Sequence, residues 1–223
     1  MCREIEGRRQ CGQIRKIIDF EKSRMLKNRT IAVSCHGYLV EDVSVLNAYC
    51  EMDQTKNACE SGCINYGKKW SCPPYSRRFT DISGHYRKAV LLVFRTKMEY
   101  YSDVKNKYTA LKAANVTLKS LIEKCARMIE KQENGYALLS GSCRLCKKCA
   151  CRSKQKCRKP DAMRYSMEAT MLNVEKICSG LAGIKLQWYQ NGTLPEYTST
   201  VSMVLLNDEV KPEELADKVY HMI

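Results

Sequence analysis

The 223-residue chain lacks any long apolar run. Nothing in it approaches the roughly 20 consecutive apolar residues that a membrane-crossing helix requires, so a helical membrane protein is excluded. Its start, MCREIEGRRQCGQIRK, is charged and carries no apolar stretch after Met1, so no secretory signal is expected. Low-complexity linkers are missing, and there is no internal repeat beyond two cysteine loops of different spacing. One domain spanning residues 1–223 is therefore expected. Acidic residues are scarce: 24 Asp and Glu face 38 Lys and Arg, for a net charge of +14. That imbalance serves solubility, an anionic partner, or an anionic group held inside the protein.

Hydrophobic content of 44% and charged content of 28% describe an ordinary soluble chain. A chain of this length buries about 70% of its unfolded surface. Its fourteen cysteines are thus not needed as staples in place of a core. The protein is expected in the cytoplasm, where thiols stay reduced and cysteine clusters more often bind metal than pair as disulfides.

Five of the cysteines fall within GSCRLCKKCACRSKQKCRKP, residues 141–160. Cys143, Cys146 and Cys149 follow Cys-x2-Cys-x2-Cys, the spacing with which one tight loop turns several sulfurs to a common centre in bacterial-type iron–sulfur ligation. Cys157 follows after seven residues and precedes Pro160, a stretched form of the ferredoxin ending. Cys143, Cys146, Cys149 and Cys157 form the expected ligand set. Cys151, one residue beyond Cys149, diverges from it in an extended chain and is left over. A zinc ribbon is the rival reading, although ribbons bring two separated Cys-x2-Cys pairs; a disulfide knot conflicts with the reducing compartment. Eight basic residues from Arg144 to Lys159 interleave with these cysteines, and their charge offsets thiolates and a cluster.

A second group lies in the cysteine loop at residues 50–75: Cys59-x3-Cys63-x8-Cys72-Pro73-Pro74. Gly62 and Gly67 allow chain reversals, the prolines stop any helix, and Trp70 and Tyr66 are placed to shield sulfurs. Three cysteines leave a fourth position. Cys50, Cys35, His36 or Cys157 could fill it, or it stays open for a substrate. Cys59, Cys63 and Cys72 therefore join the candidate cluster ligands. Cys2 and Cys11 lack partner spacing.

The remaining chain reads as alternating elements. Residues 1–29 have partial helical spacing, residues 30–40 read as a strand, and Glu41 to Met52 as a short helix. KAVLLVFRT, residues 88–96, is a strand buried on both faces. Residues 102–131 form a long helix with Cys125 on its apolar stripe, ended by Asn134-Gly135. Residues 136–139 form a short strand feeding the 141–160 loop. Asp161 to Ile177 reads as a methionine-faced helix in which Glu168 pairs with Arg164. Residues 184–190 and 198–206 read as strands about an Asn191-Gly192 turn, and a last helix starts at Pro212. The fold class is α/β: a mixed sheet flanked by helices, with cysteine-rich metal loops at strand ends.

The combination of Cys59-x3-Cys63-x2-Tyr66-Gly67-x2-Trp70-x-Cys72-Pro73-Pro74 with Gly141-Ser-Cys143-Arg-x-Cys146-x2-Cys149 and Cys157-Arg-x-Pro160-x3-Arg164-x-Ser166-x-Glu168-Ala169 resembles a family of bacterial and archaeal proteins. It is known only as a predicted metal-binding protein, a domain of unknown function. The resemblance spans about residues 45–206 and implies a metal without implying a reaction.

Three functions compete. The first is an iron–sulfur protein with one or two [4Fe–4S] clusters, passing electrons to a redox partner protein that docks on the basic loop. The second is an enzyme whose cluster at Cys59, Cys63 and Cys72 keeps an open iron for a small-molecule substrate, in dehydratase or desulfurase fashion, with His36 or His85 as proton carriers. The third is a zinc-binding nucleic-acid module; it is disfavoured because no aromatic residues interleave with the basic loop for base stacking.

Overall fold

The computed structural model describes residues 14–27 and 29–223. Cys2 and Cys11 lie outside the described residues. Five strands build one sheet: β1 (Ile14–Leu26), β2 (Arg29–Val40), β3 (Lys88–Lys97), β4 (Tyr136–Leu138) and β5 (Tyr197–Leu206), in the spatial order β1-β2-β3-β5-β4. The α/β class holds. Within it, all four strand pairings are antiparallel, so strand direction is not mixed. No helical crossover returns one strand parallel to its neighbour, and antiparallel pairs follow.

Both faces of the sheet are covered. Val90, Leu92 and Phe94 of β3 point to one layer, and Ala89, Leu91 and Val93 point to the other, as strand alternation requires. All six are fully buried, which explains why this stretch reads as a continuous apolar run. The first layer is α3 (Lys107–Gln132) with α5 (Pro212–Met222). The second is built from short pieces: a 3₁₀ turn at Val43–Tyr49, α2 (Phe79–Ser83) and α4 (Val174–Gly180). Between the turn and α2 lies α1 (Met52–Gly62).

The long helix begins at its cap. Asn106 Oδ1 accepts the Thr109 N–H at 2.9 Å, so α3 starts at Lys107, and residues 102–106 stay outside it. Its buried face runs Ala110, Ala114, Leu118, Leu121, Ile122, Cys125, Ala126, Ile129, a period-3.6 stripe.

Three elements differ from expectation. The described part of residues 1–29 is a strand, not a helix. Charged residues lie on both faces of β1, with Lys22 and Arg24 half-buried and Arg15, Lys16, Asp19 and Glu21 exposed, as suits an edge strand, where charge blunts further pairing. Asp161 to Ile177 is not one helix. Asn173 caps Lys176 N–H at 3.0 Å, so the helix proper begins at Val174. Upstream, the backbone bonds elsewhere: Leu139 donates to Tyr165 O at 2.8 Å, and Cys50 bridges Leu172. Residues 184–190 form no strand, although the Asn191-Gly192 turn is present with φ of +50° and +74°. There the Gln187 side chain accepts from the Glu196 and Tyr197 N–H groups at 2.8 and 3.3 Å, satisfying donors a ladder would have used.

Gly135 joins α3 to β4. A Cβ there would stand 2.5 Å from Leu205 O and 2.6 Å from Leu206 Cδ2, and backbone oxygen cannot yield. Gly135→Ala is expected to lower stability by about 1–3 kcal/mol, read as a lower denaturant midpoint with an unchanged slope.

Candidate metal centre

The chain leaves β4 at Leu138 and enters the first cysteine loop at Gly141. Gly141 has φ of +77°, and Lys119 Nζ lies 3.3 Å from where its Cβ would be; only glycine fits without strain or crowding of the amine. Cys143, Cys146, Cys149 and Cys157 line one hollow. Trp70, Leu145, Ala150 and Met163 complete much of its wall. The stretched arm between Cys149 and Cys157 is taken up by a 3₁₀ turn at Ala150–Ser153. Cys151 sits on that turn, buried, with its thiol donating to Gly67 O at 3.7 Å and outside the hollow.

The second group is organised by a helix that sequence spacing concealed. Cys59 and Cys63 stand one turn apart at the end of α1, where the Cys63 N–H donates to Cys59 O at 3.2 Å. An i,i+4 pair shares a helix face with Cβ atoms about 5–6 Å apart. Cys72 reaches the same place from the loop that follows. The Pro73–Pro74 peptide is cis, and Pro73 O accepts from Gly67 N at 2.9 Å. Cys59, Cys63 and Cys72 line one hollow together with Lys119, Ser142, Ser166 and Glu168. Burial raises the Cys59 thiol above its ordinary value, and Cys63 and Glu168 add to the effect. Burial likewise raises Cys72, opposed by a hydrogen bond with Ser71 and by Lys69.

The two hollows stand back to back. Ser71 and Cys143 line the first; their chain neighbours Cys72 and Ser142 line the second. The shared wall is tied by the Cys143 N–H to Ser71 Oγ at 3.0 Å. Lys69 Nζ donates across it to Ser142 Oγ at 3.0 Å and Cys143 O at 2.8 Å. Trp70 Nε1 donates to Gln155 O at 2.9 Å, fixing the far arm of the first loop.

None of the side chains considered for the fourth place in the second hollow lines it. Cys157 lines the first. Cys35 is buried in the α3 layer, with its thiol on Val33 O at 3.7 Å and Cys125 facing it. His36 Nδ1 pairs with Asp19 at 2.8 Å and its Nε2 with Arg95 at 2.8 Å; burial holds it below the ordinary histidine range. Cys50 lies against Leu46 O at 4.0 Å. His85 lines a shallow surface depression with Asn207 and Asp208, away from the cysteines.

Glu168 is the residue that sequence reasoning placed wrongly. Arg164 does not pair with it. Arg164 Nε instead bonds Glu130 of α3, and its guanidinium lies 4.8 Å from the Tyr136 ring centroid. Glu168 stands on the rim of the three-cysteine hollow because residues 161–172 form no α-helix, only one 3₁₀ turn at Glu168–Thr170. No local spacing signalled that placement.

The family model described as "Predicted metal-binding protein (DUF2284)" matches residues 48–206, which contain both hollows. The chain belongs to this family. No curated protein and no solved structure gives a significant match. Among the described residues, no helix is long and apolar enough to cross a membrane.

Thiol chemistry separates core cysteines from site cysteines. Burial pushes Cys125 and Cys178 up to about 12 and Cys35 still further, so these three stay protonated and closed to reagent. Iodoacetamide at about pH 8 is expected to label Cys63, which is exposed, in the native chain, and to reach Cys35, Cys125 and Cys178 only after unfolding. Peptide mass mapping reads both.

Proposed function

We propose that the chain is an iron–sulfur protein that holds [4Fe–4S] groups in its two hollows and exchanges electrons with a partner protein. The observation that carries this reading is the enclosure of Cys143, Cys146, Cys149 and Cys157 around one hollow with a largely apolar wall. Four thiolates on a loop of this spacing are the donor set of such a cluster. Both sets of thiols ring a space. Among the described residues, no three His, Cys, Asp or Glu side chains are gathered as around a single ion. A [4Fe–4S] group bound there would supply one-electron chemistry whose potential follows charge and solvent access.

The chain's own residues have definable tasks. Trp70 and Met163 exclude water from the sulfurs of the first hollow. The exposed Lys147, Lys148, Lys154, Lys156 and Lys159 around it offset thiolate charge and present a basic surface to an acidic partner. The wall shared by the two hollows would set groups held in them on either side of the Ser71–Cys143 contact, which favours electrons passing between them.

A second reading gains from the second hollow: only three cysteines line it, and its rim is polar. That favours a site with one metal position open to a small substrate.

Anaerobic reconstitution followed by iron and acid-labile sulfide analysis tests the reading. About four irons per loaded hollow are expected. Cys146→Ala should remove the iron of the first hollow and Cys63→Ala that of the second. Protein that takes up zinc with no sulfide, or iron content that neither substitution changes, would refute the assignment.

A further inference from the structure

The two hollows share donor chemistry and differ in everything else. The first is lined by four thiols backed by indole, Leu145 and Met163. The second is lined by three thiols and a polar rim. Three polar groups on that rim are unspent. Lys119 Nζ makes no hydrogen bond or ion pair among the described residues, nor does the Glu168 carboxylate, nor the Ser140 hydroxyl. Lys119 is half-buried on α3 and sits against Gly141. Most other half-buried cations in the molecule are paired: Arg29 with Asp103, Lys88 with Glu41 and Glu209, Arg164 with Glu130. A half-buried ammonium without a counter-ion forgoes its main compensation for lost hydration, and it lies where a ligand would supply one.

We infer that the Cys59–Cys63–Cys72 hollow is a binding chamber for a small monocarboxylate, with Lys119 as the charge partner of its carboxyl group and Ser140 as a hydroxyl donor beside it. The charge balance selects this class. Lys119 is the one cation in the lining, so it offsets at most one negative charge, and the Glu168 carboxylate opposes any more. A dianion such as phosphate meets Glu168 and the thiolates without enough positive charge to offset them. The inference rests on the reading of this hollow as a site with an open metal position only for what the ligand's other end would meet. The carboxylate contact itself belongs to the protein.

That independence sets the test. Iodoacetate and iodoacetamide carry the same reactive carbon. In each, the cysteine thiolate displaces iodide, a C–S bond replacing the C–I bond. Only iodoacetate is a small carboxylate. On the full metal-free chain, the ratio of iodoacetate to iodoacetamide rates at Cys63 is expected to fall about fivefold in Lys119→Met, the size of a partly exposed charge contact, and to hold in Lys119→Arg. Glu168→Gln should raise the same ratio, because it removes the opposing charge. The ratio at Cys143, in the other hollow, should not move in any of them. An unchanged ratio at Cys63 in both Lys119→Met and Glu168→Gln would overturn the inference. So would an equal fall at Cys143, which would mark a general field and no chamber. In the iron-loaded chain, lactate is expected to change the electron paramagnetic resonance spectrum saturably, and phosphate to leave it unchanged. Loss of the lactate effect in Lys119→Met at constant iron content supports the chamber; its persistence there overturns it. A chain that takes up no iron fails the cluster reading alone, since the alkylation ratios are measured without metal.

Discussion

A lysine amine and a serine hydroxyl hold the two cysteine loops against each other, and the rest of the site depends on that tie. Lys69 bridges to Ser142 and Cys143, and Ser71 accepts the Cys143 N–H. The two loops are about 70 residues apart in sequence, and where they touch, at residues 69–72 and 142–143, neither has helix or strand to define its path. Loops of this kind need side-chain partners for their backbone groups. Here the partners come from the opposite loop, so each loop is folded by the other. The same contacts alternate the wall residues: Ser71 and Cys143 face one side, Cys72 and Ser142 the other. Two separate donor sets therefore arise from one short stretch of paired chain.

The sheet positions this pair without contributing to it chemically. β4 is only three residues long and pairs on one side with β5. Its brevity releases the chain beside α3, which supplies Lys119 to one hollow and, through Glu123, an ion pair at 2.7 Å to Arg144 of the first loop. Glu130 of the same helix accepts the Ala137 N–H at 2.7 Å and bonds Arg164. One helix thus anchors the strand before the loop, the loop itself and the segment after it. The anchoring carboxylate of Glu130 is largely buried, with 11% of its side chain exposed. Breaking such a pair costs more than its net contribution, because the remaining charge is left uncompensated.

What the sequence made legible follows from whether the signal was local. The Cys-x2-Cys-x2-Cys spacing acts within one loop, and its four expected ligands line one hollow. The apolar run of β3 and the capped, periodic α3 are also local patterns, and both stand where expected. Cys151 was separable for the same reason, since one intervening residue turns it away from Cys149. The Cys59-x3-Cys63 gap was local too: three intervening residues are one helical turn, yet the glycine at 62 and the prolines beyond suggested a loop. β1 was obscured because an edge strand alternates weakly and carries charge on both faces. The place of Glu168 could not be read at all. It depends on Tyr165, Met171 and Leu172 bonding Leu139, Glu51 and Cys50, partners distant in the chain.

The back-to-back arrangement has an electrostatic consequence for either leading function. Two unit charges about 10 Å apart interact by about 1.7 kcal/mol at an effective dielectric constant of about 20. Groups bound on the two sides of the wall that Ser71 and Cys143 form would feel each other's charge in inverse proportion to their separation. The basic residues are not spread evenly over this problem. They crowd the first loop, whose hollow is closed by four thiols, while the second hollow has Lys119 and, behind the wall, Lys69. Positive charge around the first hollow favours an added electron there. Fewer cations surround the second hollow, where Lys119 is the one cation in the lining and Glu168 the carboxylate opposite in sign. The asymmetry thus gives the two sides of the wall different electrostatic surroundings, and it does so through residues that are not cysteines.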